Sequence, residues 1–455
     1  MALDAFKSRY AAFQDLMSRR VQNILLVSNL YDSFILEQDG ALNEMLLSEF
    51  LDLNLRHTPG LTRVSSGSEA LEKLDADPDR FNLVITGLAL GDMDALALAE
   101  RIHEIGDRTP IVLLGYDARQ LKEFVSTHEV EPIDRAFLWQ GDVRILLASV
   151  KYVEDKLNVE EDTKRAGVQV IILIEDSIRY YSSFLPLIYA ELLRHSQSLI
   201  SEGVNLTHKI LRMRARPKII LCSDFEEAWD YFSRYEKDIL GVISDVEFPR
   251  GGVLDDEAGI EFARKVKEAW PDVPVLLHSE RTENEPAARN VGATFIRKGS
   301  PTLLNELRQF MVENFSFGDF VFRMPDGEPV GRAHNLRTLV EKLRSVPEGS
   351  IGFHASRNHF SNWLKARTEF ALAHELRPRR VSDFASLEDL RNDLIQSIET
   401  YRRESQQGII ADFSPHTFDP TSGFARIGGG SIGGKARGLA FVRYVLNNYP
   451  ISQLY

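Results

Sequence analysis

The chain has 455 residues and a net charge of −13, with 44% apolar and 27% charged residues, a composition typical of soluble globular proteins with several domains. No apolar run approaches the roughly 20 residues of a membrane helix, and the N-terminus has no continuous apolar core and is not a secretory signal. The single cysteine, Cys222, excludes an intrachain disulfide and favours a reducing, cytoplasmic location.

Residues 1–20 carry apolar side chains at helical spacing, which predicts an N-terminal helix for packing or dimerisation. Beyond it, short apolar runs alternate with amphipathic stretches, which predicts right-handed βαβ units around a parallel sheet. This first domain covers residues 21–158. Its predicted strands are 23–29, 61–65, 81–87, 110–115 and 136–139, with helices at 33–55, 68–74, 94–105 and 143–156.

Residues 160–165 contain no apolar side chain, which predicts a linker. The alternation then begins again, so the chain contains an internal repeat of two α/β domains. The second domain covers residues 167–316, and its first crossover, 178–217, is unusually long. That crossover predicts either a dimer-forming helical projection or a surface insertion. The predicted strands are 169–175, 218–223, 239–245, 273–279 and 293–297, with a last helix at 302–313.

The region 317–423 has a different pattern, which predicts a mainly helical connector. Turn residues dominate 317–329, and helices are predicted at 336–343, 357–373 and 387–405, with a short strand within 408–413. His354 and His359 are five residues apart, off a single helical face, which favours a packing role over a metal site.

Polar groups follow the strands of the second domain where those strands end. In a flavodoxin-like order, 2-1-3-4-5, these ends converge at one edge of the sheet. Carboxylates gathered there suit a hard cation such as Mg²⁺, and a carboxylate beside such an ion can attack a phosphoryl donor. The groups are Glu175 and Asp176 after the first strand, Asp245 after the third, Ser279 after the fourth and Lys298 after the fifth.

These motifs resemble the receiver domains of two-component response regulators. The resemblance lies in Glu175-Asp176-Ser177, in Ile-Ser-Asp-Val-Glu-Phe-Pro at 243–249, in Leu-His-Ser at 277–279 and in Phe-Ile-Arg-Lys-Gly at 295–299. It implies a (βα)5 flavodoxin-like fold and phosphorylation of Asp245. It also implies that Glu175, Asp176, Asp245 and the backbone of Glu247 hold Mg²⁺, and that Ser279 and Lys298 contact the phosphoryl group.

The implied partners are a sensor histidine kinase or phosphotransfer protein and a downstream enzymatic domain. The acidic front of the chain and the lack of a helix-turn-helix pattern argue against nucleic-acid binding. Two departures concern the switch: the loop 248–258 is long, and Phe295 is the candidate for the family's aromatic switch residue.

The first domain matches the same pattern without its chemistry. Ser28 and Asn29 replace the acidic pair, Gly87 the acceptor, Gly115 the hydroxyl and Gln140 the lysine. We therefore interpret it as a degenerate pseudo-receiver kept for contacts. Asp92 and Asp94, just past the third strand, are predicted to serve as a loop acid or a helix cap.

Residues 429–436 read Gly-Gly-Ser-Ile-Gly-Gly-Lys-Ala, close to a phosphate loop but with Ala436 in place of the Mg²⁺-binding hydroxyl. The stretch 427–446 resembles the opening of the ATP-grasp domain in phosphoenolpyruvate synthase and pyruvate phosphate dikinase, where Lys435 would contact phosphate. Residues 424–455 would then be a truncated start, and ATP a cofactor only if the domain is complete in a longer protein.

Three functional hypotheses follow. The first is a two-component signalling module phosphorylated on Asp245. The second is the regulatory front of a phosphoenolpyruvate synthase-like phosphotransferase, with which the first is compatible. The third is an interaction scaffold with two inactive receivers, against which the complete second cluster speaks. A flexible loop and helix cap remains the alternative for the glycine stretch.

Overall fold

The computed structural model describes residues 16–37, 42, 44, 47–48, 58–105, 109–128, 130–201, 214–377, 380–406, 411–412, 425–426 and 433–448. Along them, two α/β domains precede a mainly helical C-terminal region, which confirms the predicted fold class. Among the described helices, none combines the length and apolar character needed to cross a membrane.

The first domain is a five-stranded parallel sheet in the order 2-1-3-4-5. Its three central strands are buried along almost their whole length, as expected for a parallel sheet between helical layers. The elements in chain order are β1 (Asn23–Val27), α1 (Leu30–Glu37), β2 (Gly60–Val64), α2 (Gly67–Ala76), β3 (Leu83–Thr86), α3 (Ala95–Glu104), β4 (Ile111–Gly115), α4 (Ala118–Thr127), β5 (Arg135–Leu138) and α5 (Arg144–Ala166).

The second domain repeats this strand order and adds an antiparallel hairpin after its third strand. The long first crossover begins as one continuous helix. The elements are β6 (Val170–Ile174), α6 (Ile178–Ser201), β7 (Lys218–Cys222), α7 (Phe225–Tyr235), β8 (Ile239–Asp245), the hairpin β9 (Phe248–Arg250) and β10 (Val253–Asp255), α8 (Ala258–Ala269), β11 (Val275–Ser279), α9 (Asn284–Asn290), β12 (Thr294–Arg297) and α10 (Leu303–Asn314).

The C-terminal region opens with an antiparallel hairpin where only turns were predicted. Its helices pack on that hairpin around Phe322, Trp363 and Leu394. The predicted helix 357–373 is wrong in extent, because it is interrupted near Thr368, whose φ is 62°, and forms two shorter helices. The elements are β13 (Phe320–Arg323), β14 (Pro329–Ala333), α11 (Leu336–Leu343), α12 (Glu348–Ala355), α13 (His359–Ala366), α14 (Phe370–Leu376), α15 (Leu387–Gln406), β15 (Ala411–Asp412), β16 (Ala425–Arg426) and α16 (Gly434–Asn448).

The linker predicted at 160–165 is wrong, because these residues continue α5 to Ala166. Lys164 pairs with Glu160 one turn earlier, at 2.5 Å. Asp162 is buried and lies 2.7 Å from the Nζ of Lys218 on β7. The helix ends at Gly167, which has φ 68° and donates its N–H to the Thr163 carbonyl. Local composition suggested a linker; charge pairing, partly with a distant strand, makes the segment helical.

The two α/β domains share one hydrophobic core. In it, one face of the first sheet, including Ile85, and one face of the second, including Leu173, pack around α5 and α6. The opposite face of each sheet has its own separate core. Because the shared core is continuous, the first domain packs directly on the second.

A buried ionic network lies beside the shared core. Asp155 of α5 is fully buried and lies 2.7 Å from the guanidinium of Arg216, whose side chain is 2% exposed. The second oxygen of Asp155 accepts hydrogen bonds from Arg216, from the Tyr189 hydroxyl of α6 and from the backbone N–H of Ile219. One carboxylate therefore joins three elements from two domains.

The predicted N-terminal helix, residues 1–20, lies almost entirely outside the described residues. Residues 16–22 form a turn and an extended strap on α5, not a helix. Backbone N–H groups of Met17, Arg19 and Val21 donate to Asp162, Asn158 and Glu154 of that helix. These hydrogen bonds explain why α5 has buried polar side chains on the face that the strap covers.

We predict that Asp155→Ala lowers the free energy of unfolding by about 3–5 kcal/mol, because it leaves Arg216 buried without its counter-charge. Urea unfolding of the whole chain measures the effect. The control is Asp230→Ala, which removes an exposed pair with Arg234 on α7 and should cost under about 1 kcal/mol. Equal losses in both variants would contradict the role given to Asp155.

A second prediction concerns acid stability. His195 of α6 is buried, stacks on Phe317 with ring centroids 4.3 Å apart, and donates from Nε2 to the Ala366 carbonyl. Burial lowers its pKa to about 4. An unfolded histidine titrates near pH 6.5. The contribution of the neutral His195 ring to the free energy of unfolding is therefore complete above that pH and is lost as the pH falls from about 6.5 to 4.

We therefore expect His195→Gln to flatten the pH dependence of the unfolding free energy in this window by up to about 3 kcal/mol. Thermal or urea unfolding between pH 4 and 7 would measure it, and His103→Gln, which replaces an exposed histidine, is the control. A parallel shift of the whole curve, without a change of slope, would show that the imidazole does not titrate as stated.

Candidate functional site

Three of the predicted groups meet at the carboxyl edge of the second sheet. The Nζ of Lys298 lies 2.8 Å from Oε2 of Glu175 and 2.5 Å from Oδ2 of Asp245. All three side chains are at least nine-tenths buried. Strand register explains the meeting: Ile174 pairs with Ser244, so Glu175 and Asp245 are the next residues in adjacent parallel strands.

The electrostatics of this cluster are unbalanced. Burial raises the pKa of Glu175 to about 8 and also raises the pKa of Asp245, although Lys298 opposes both shifts. Burial acts to lower the pKa of Lys298, but the two carboxylates outweigh it and the pKa is raised. The raised pKa favours a proton on Glu175 near neutral pH, and a bound dication would displace that proton and favour the ionised form of both carboxylates. The donor set therefore fits a cation.

The backbone prepares Asp245 further. Its Oδ1 accepts the N–H of Val246 at 2.7 Å. Helix α8 lies very close behind: a Cβ added to Gly259 would lie 2.1 Å from the Asp245 carbonyl oxygen and 2.7 Å from Cα of Val246. Glycine is therefore required where α8 meets the end of β8.

The other predicted residues lie around this cluster but do not join it. Asp176 is exposed. The carboxylate of Glu247 lies 3.3 Å from the guanidinium of Arg281. The Ser279 hydroxyl is buried and accepts hydrogen bonds from the Arg281 N–H and from Asn284. Both donors lie in the segment that leads into α9 and its first residue.

The structure also shows where the long loop 248–258 and Phe295 lie. The long loop 248–258 contains the hairpin β9–β10, whose tip N–H at Gly251 donates to Glu226 of α7. Phe295 is half-buried against the core on the outer face of the second sheet.

Helix α6 covers the site and contributes residues that the motif reading did not assign. The Lys298 ammonium lies 4.2 Å from the ring centroid of Tyr180, whose hydroxyl donates to Glu280. Phe184 meets the ring of His278 edge-on, with centroids 5.2 Å apart. His278 belongs to the Leu-His-Ser motif. A polar histidine within an otherwise apolar strand is the sequence feature that could have identified it as a site residue.

The first domain has different residues at the position that corresponds to the cluster of Glu175, Asp245 and Lys298. Asn29 donates to Asp32, which stands close to Gly87 and takes the space of the missing acceptor. Asp92 accepts three hydrogen bonds from Gly67 and Ser68 at the start of α2, which lower its pKa to about 2. Asp94 caps α3 by accepting the Ala97 N–H. The predicted loop and cap roles of these two acids are confirmed.

Two further motifs lie in the C-terminal region. His354 and His359 occupy different helices, and their Nδ1 atoms share a hydrogen bond of 2.9 Å. His354 also accepts the Arg323 N–H through Nε2, so the pair packs the hairpin as predicted. Lys435 is exposed in the first turn of α16. The glycine stretch 427–432 before it lies outside the described residues, so the ATP-grasp resemblance stays a prediction.

Residues 329–419 match the model of a family of unknown function, DUF5752. No curated protein matches the chain. Among solved structures, the chain is similar to the signal receiver domain of an HD domain-containing protein from Pseudomonas fluorescens Pf-5. Identity there is 24%, over 31% of this chain and 93% of that one, with a TM-score of 0.23.

Two longer solved chains are also similar. One is a two-component system response regulator/GGDEF domain protein, at 14% identity over 64% of this chain and 98% of that one, with a TM-score of 0.28. The other is NtrX from Brucella abortus, at 12% identity over 88% and 87%, with a TM-score of 0.24. These TM-scores are below 0.5, so the receiver-type topology stands on strand order and register.

We predict that Gly259→Ala destabilises the second domain by about 1–3 kcal/mol, because backbone atoms at the end of β8 cannot move aside for a methyl group. Urea unfolding would measure the loss. Gly299→Ala is the control, since an added Cβ there has no neighbour within 4 Å among the described residues. Similar small effects for both variants would contradict the close contact between α8 and β8.

Proposed function

We propose that the second domain is a phosphorylatable receiver of a two-component signalling module, with Asp245 as the acceptor. The observation that carries the proposal is the buried contact of Lys298 with both Glu175 and Asp245 at the carboxyl edge of a 2-1-3-4-5 sheet. A buried carboxylate that already holds an ammonium and a backbone N–H is suited to attack phosphorus and to retain the product.

In the reaction, one oxygen of Asp245 forms a bond to phosphorus, and the bond from phosphorus to the donor's leaving atom breaks with its electron pair. That atom is an imidazole nitrogen in a phosphohistidine donor and a carboxylate oxygen in acetyl phosphate. Bound Mg²⁺, held by Glu175, Asp176, Asp245 and the Glu247 carbonyl, would neutralise charge on the phosphoryl oxygens. Lys298 is placed to bind one of those oxygens, and the Ser279 hydroxyl, which accepts from the Arg281 N–H, keeps its own O–H to donate to another. The donor would be a sensor histidine kinase or phosphotransfer protein.

Helix α6 is the element best placed to transmit the change. It passes over Lys298 at Tyr180, and its next residues bind the first domain: the Tyr181 hydroxyl donates to the Ala136 carbonyl, and Ser182 accepts the Leu138 N–H. New charge and acceptor oxygens at Asp245 would alter the contacts below this helix. The output would be the C-terminal region or an attached enzymatic domain.

The alternative, a regulatory front of a phosphoenolpyruvate synthase-like phosphotransferase, remains compatible with a receiver. No contact among the described residues favours it over the signalling module, so it stays a prediction.

The test is labelling of the full chain with acetyl phosphate and Mg²⁺. We expect a base-labile phosphoryl group on Asp245, found by mass spectrometry, and its loss in Asp245→Asn or after chelation of the metal. Lys298→Ala should lower the labelling rate by about tenfold or more, because it removes a charge that stabilises the phosphoryl oxygens.

Asp92→Asn is the matched control, since it changes a loop acid of the first domain that binds the start of α2. It should leave labelling unchanged. No label on the wild type, or equal labelling after Asp245→Asn, would sink the receiver assignment.

A further inference from the structure

His278 of β11 has a position that phosphorylation alone does not explain. It pairs in register with Asp245, which places Glu175, Asp245 and His278 in one row across three adjacent strands. The Nδ1 atom lies 3.7 Å from Oε2 of Glu175 and 4.0 Å from Oδ1 of Asp245. The side chain is 2% exposed.

Neither ring nitrogen of His278 has a hydrogen-bond partner within the described part of the chain. The ring also makes an edge-on contact with Phe184, an apolar neighbour. Burying a polar group without a hydrogen-bond partner is unfavourable, and such groups in folded proteins call for an explanation. Leucine or valine would fill this apolar strand position without that cost, so the nitrogen itself needs a use.

The spacing fits a shared metal ion. Ligand bonds of about 2.0–2.2 Å place two ligands of one ion roughly 3–4 Å apart. One ligand atom from each of Glu175, Asp245 and His278 can be chosen so that all three lie within 4.8 Å of one another.

The chemistry of this donor set differs from that of a magnesium site. Mg²⁺ prefers oxygen ligands and retains its waters, whereas an imidazole nitrogen beside carboxylates favours first-row transition dications. Lys298 contacts Oδ2 of Asp245, so the other oxygen, Oδ1, which faces His278, retains a lone pair for an ion. The nitrogen donor is therefore the feature that distinguishes the two classes of cation.

We propose that His278 is a ligand of the cation site and that the site takes a first-row transition-metal dication in preference to Mg²⁺, with Mn²⁺ as the paramagnetic probe of the nitrogen ligand. This inference rests on the proposed receiver function and specifies its metal.

Electron paramagnetic resonance of Mn²⁺ bound to the full chain tests the assignment. We expect pulsed spectra of the wild type to show coupling to an imidazole nitrogen, and the coupling to change when histidine is labelled with ¹⁵N. In His278→Leu the coupling should vanish, and Mn²⁺ affinity should fall by about tenfold or more. Mg²⁺ affinity, measured by competition, should change by less than about threefold.

His195→Gln is the control, because it replaces another buried histidine away from the cluster; its nitrogen coupling should persist. The ¹⁵N experiment needs only wild-type protein and decides the question even where His278→Leu does not fold. Bound Mn²⁺ without nitrogen coupling, or equal Mn²⁺ affinity in His278→Leu, overturns the inference. In either case, labelling of wild-type Asp245 in the presence of Mg²⁺ would leave the receiver function standing. A wild type that neither binds metal nor becomes labelled would overturn the receiver function and the metal assignment together.

Discussion

The buried contact between Asp155 and Arg216 ties the first α/β domain to the second. Asp155 belongs to the last helix of the first domain, and the same carboxylate accepts from Tyr189 of α6 and from the start of β7. Because desolvation offsets much of the attraction in such a pair, its main contribution is to specify one arrangement of α5 against the second sheet. The shared core and the position of α6 depend on that arrangement.

Helix α6 carries the consequence to the site. Its first turns lie over Lys298 and His278, and the residues between those contacts bind the end of β5 in the first domain. The first domain has Gly87 and Asp32 at the corresponding position, and its β5 edge and α5 support the covering helix of its neighbour.

Much of the site could be predicted from sequence, because strand periodicity is local and parallel strands bring their carboxyl ends to one edge. That reasoning placed Glu175, Asp245 and Lys298 together. It could not show that Ser279 bonds to Arg281 and Asn284, since a hydroxyl's partner depends on the next loop. His278 was passed over because a histidine in an apolar strand usually has a core role, and only its unpartnered nitrogens mark it out.

The sequence by itself determined the repeat, the strand order that the motifs imply and the copy that keeps acids, hydroxyl and lysine, because these are properties of short segments. Only the tertiary structure decided that 160–165 continues a helix, since the charge of Asp162 is compensated by Lys218 on a strand of the other domain. It also decided which sheet faces meet and which side chains stand beside Asp245. Those outcomes depend on burial and on partners far away in the chain, which no local pattern records.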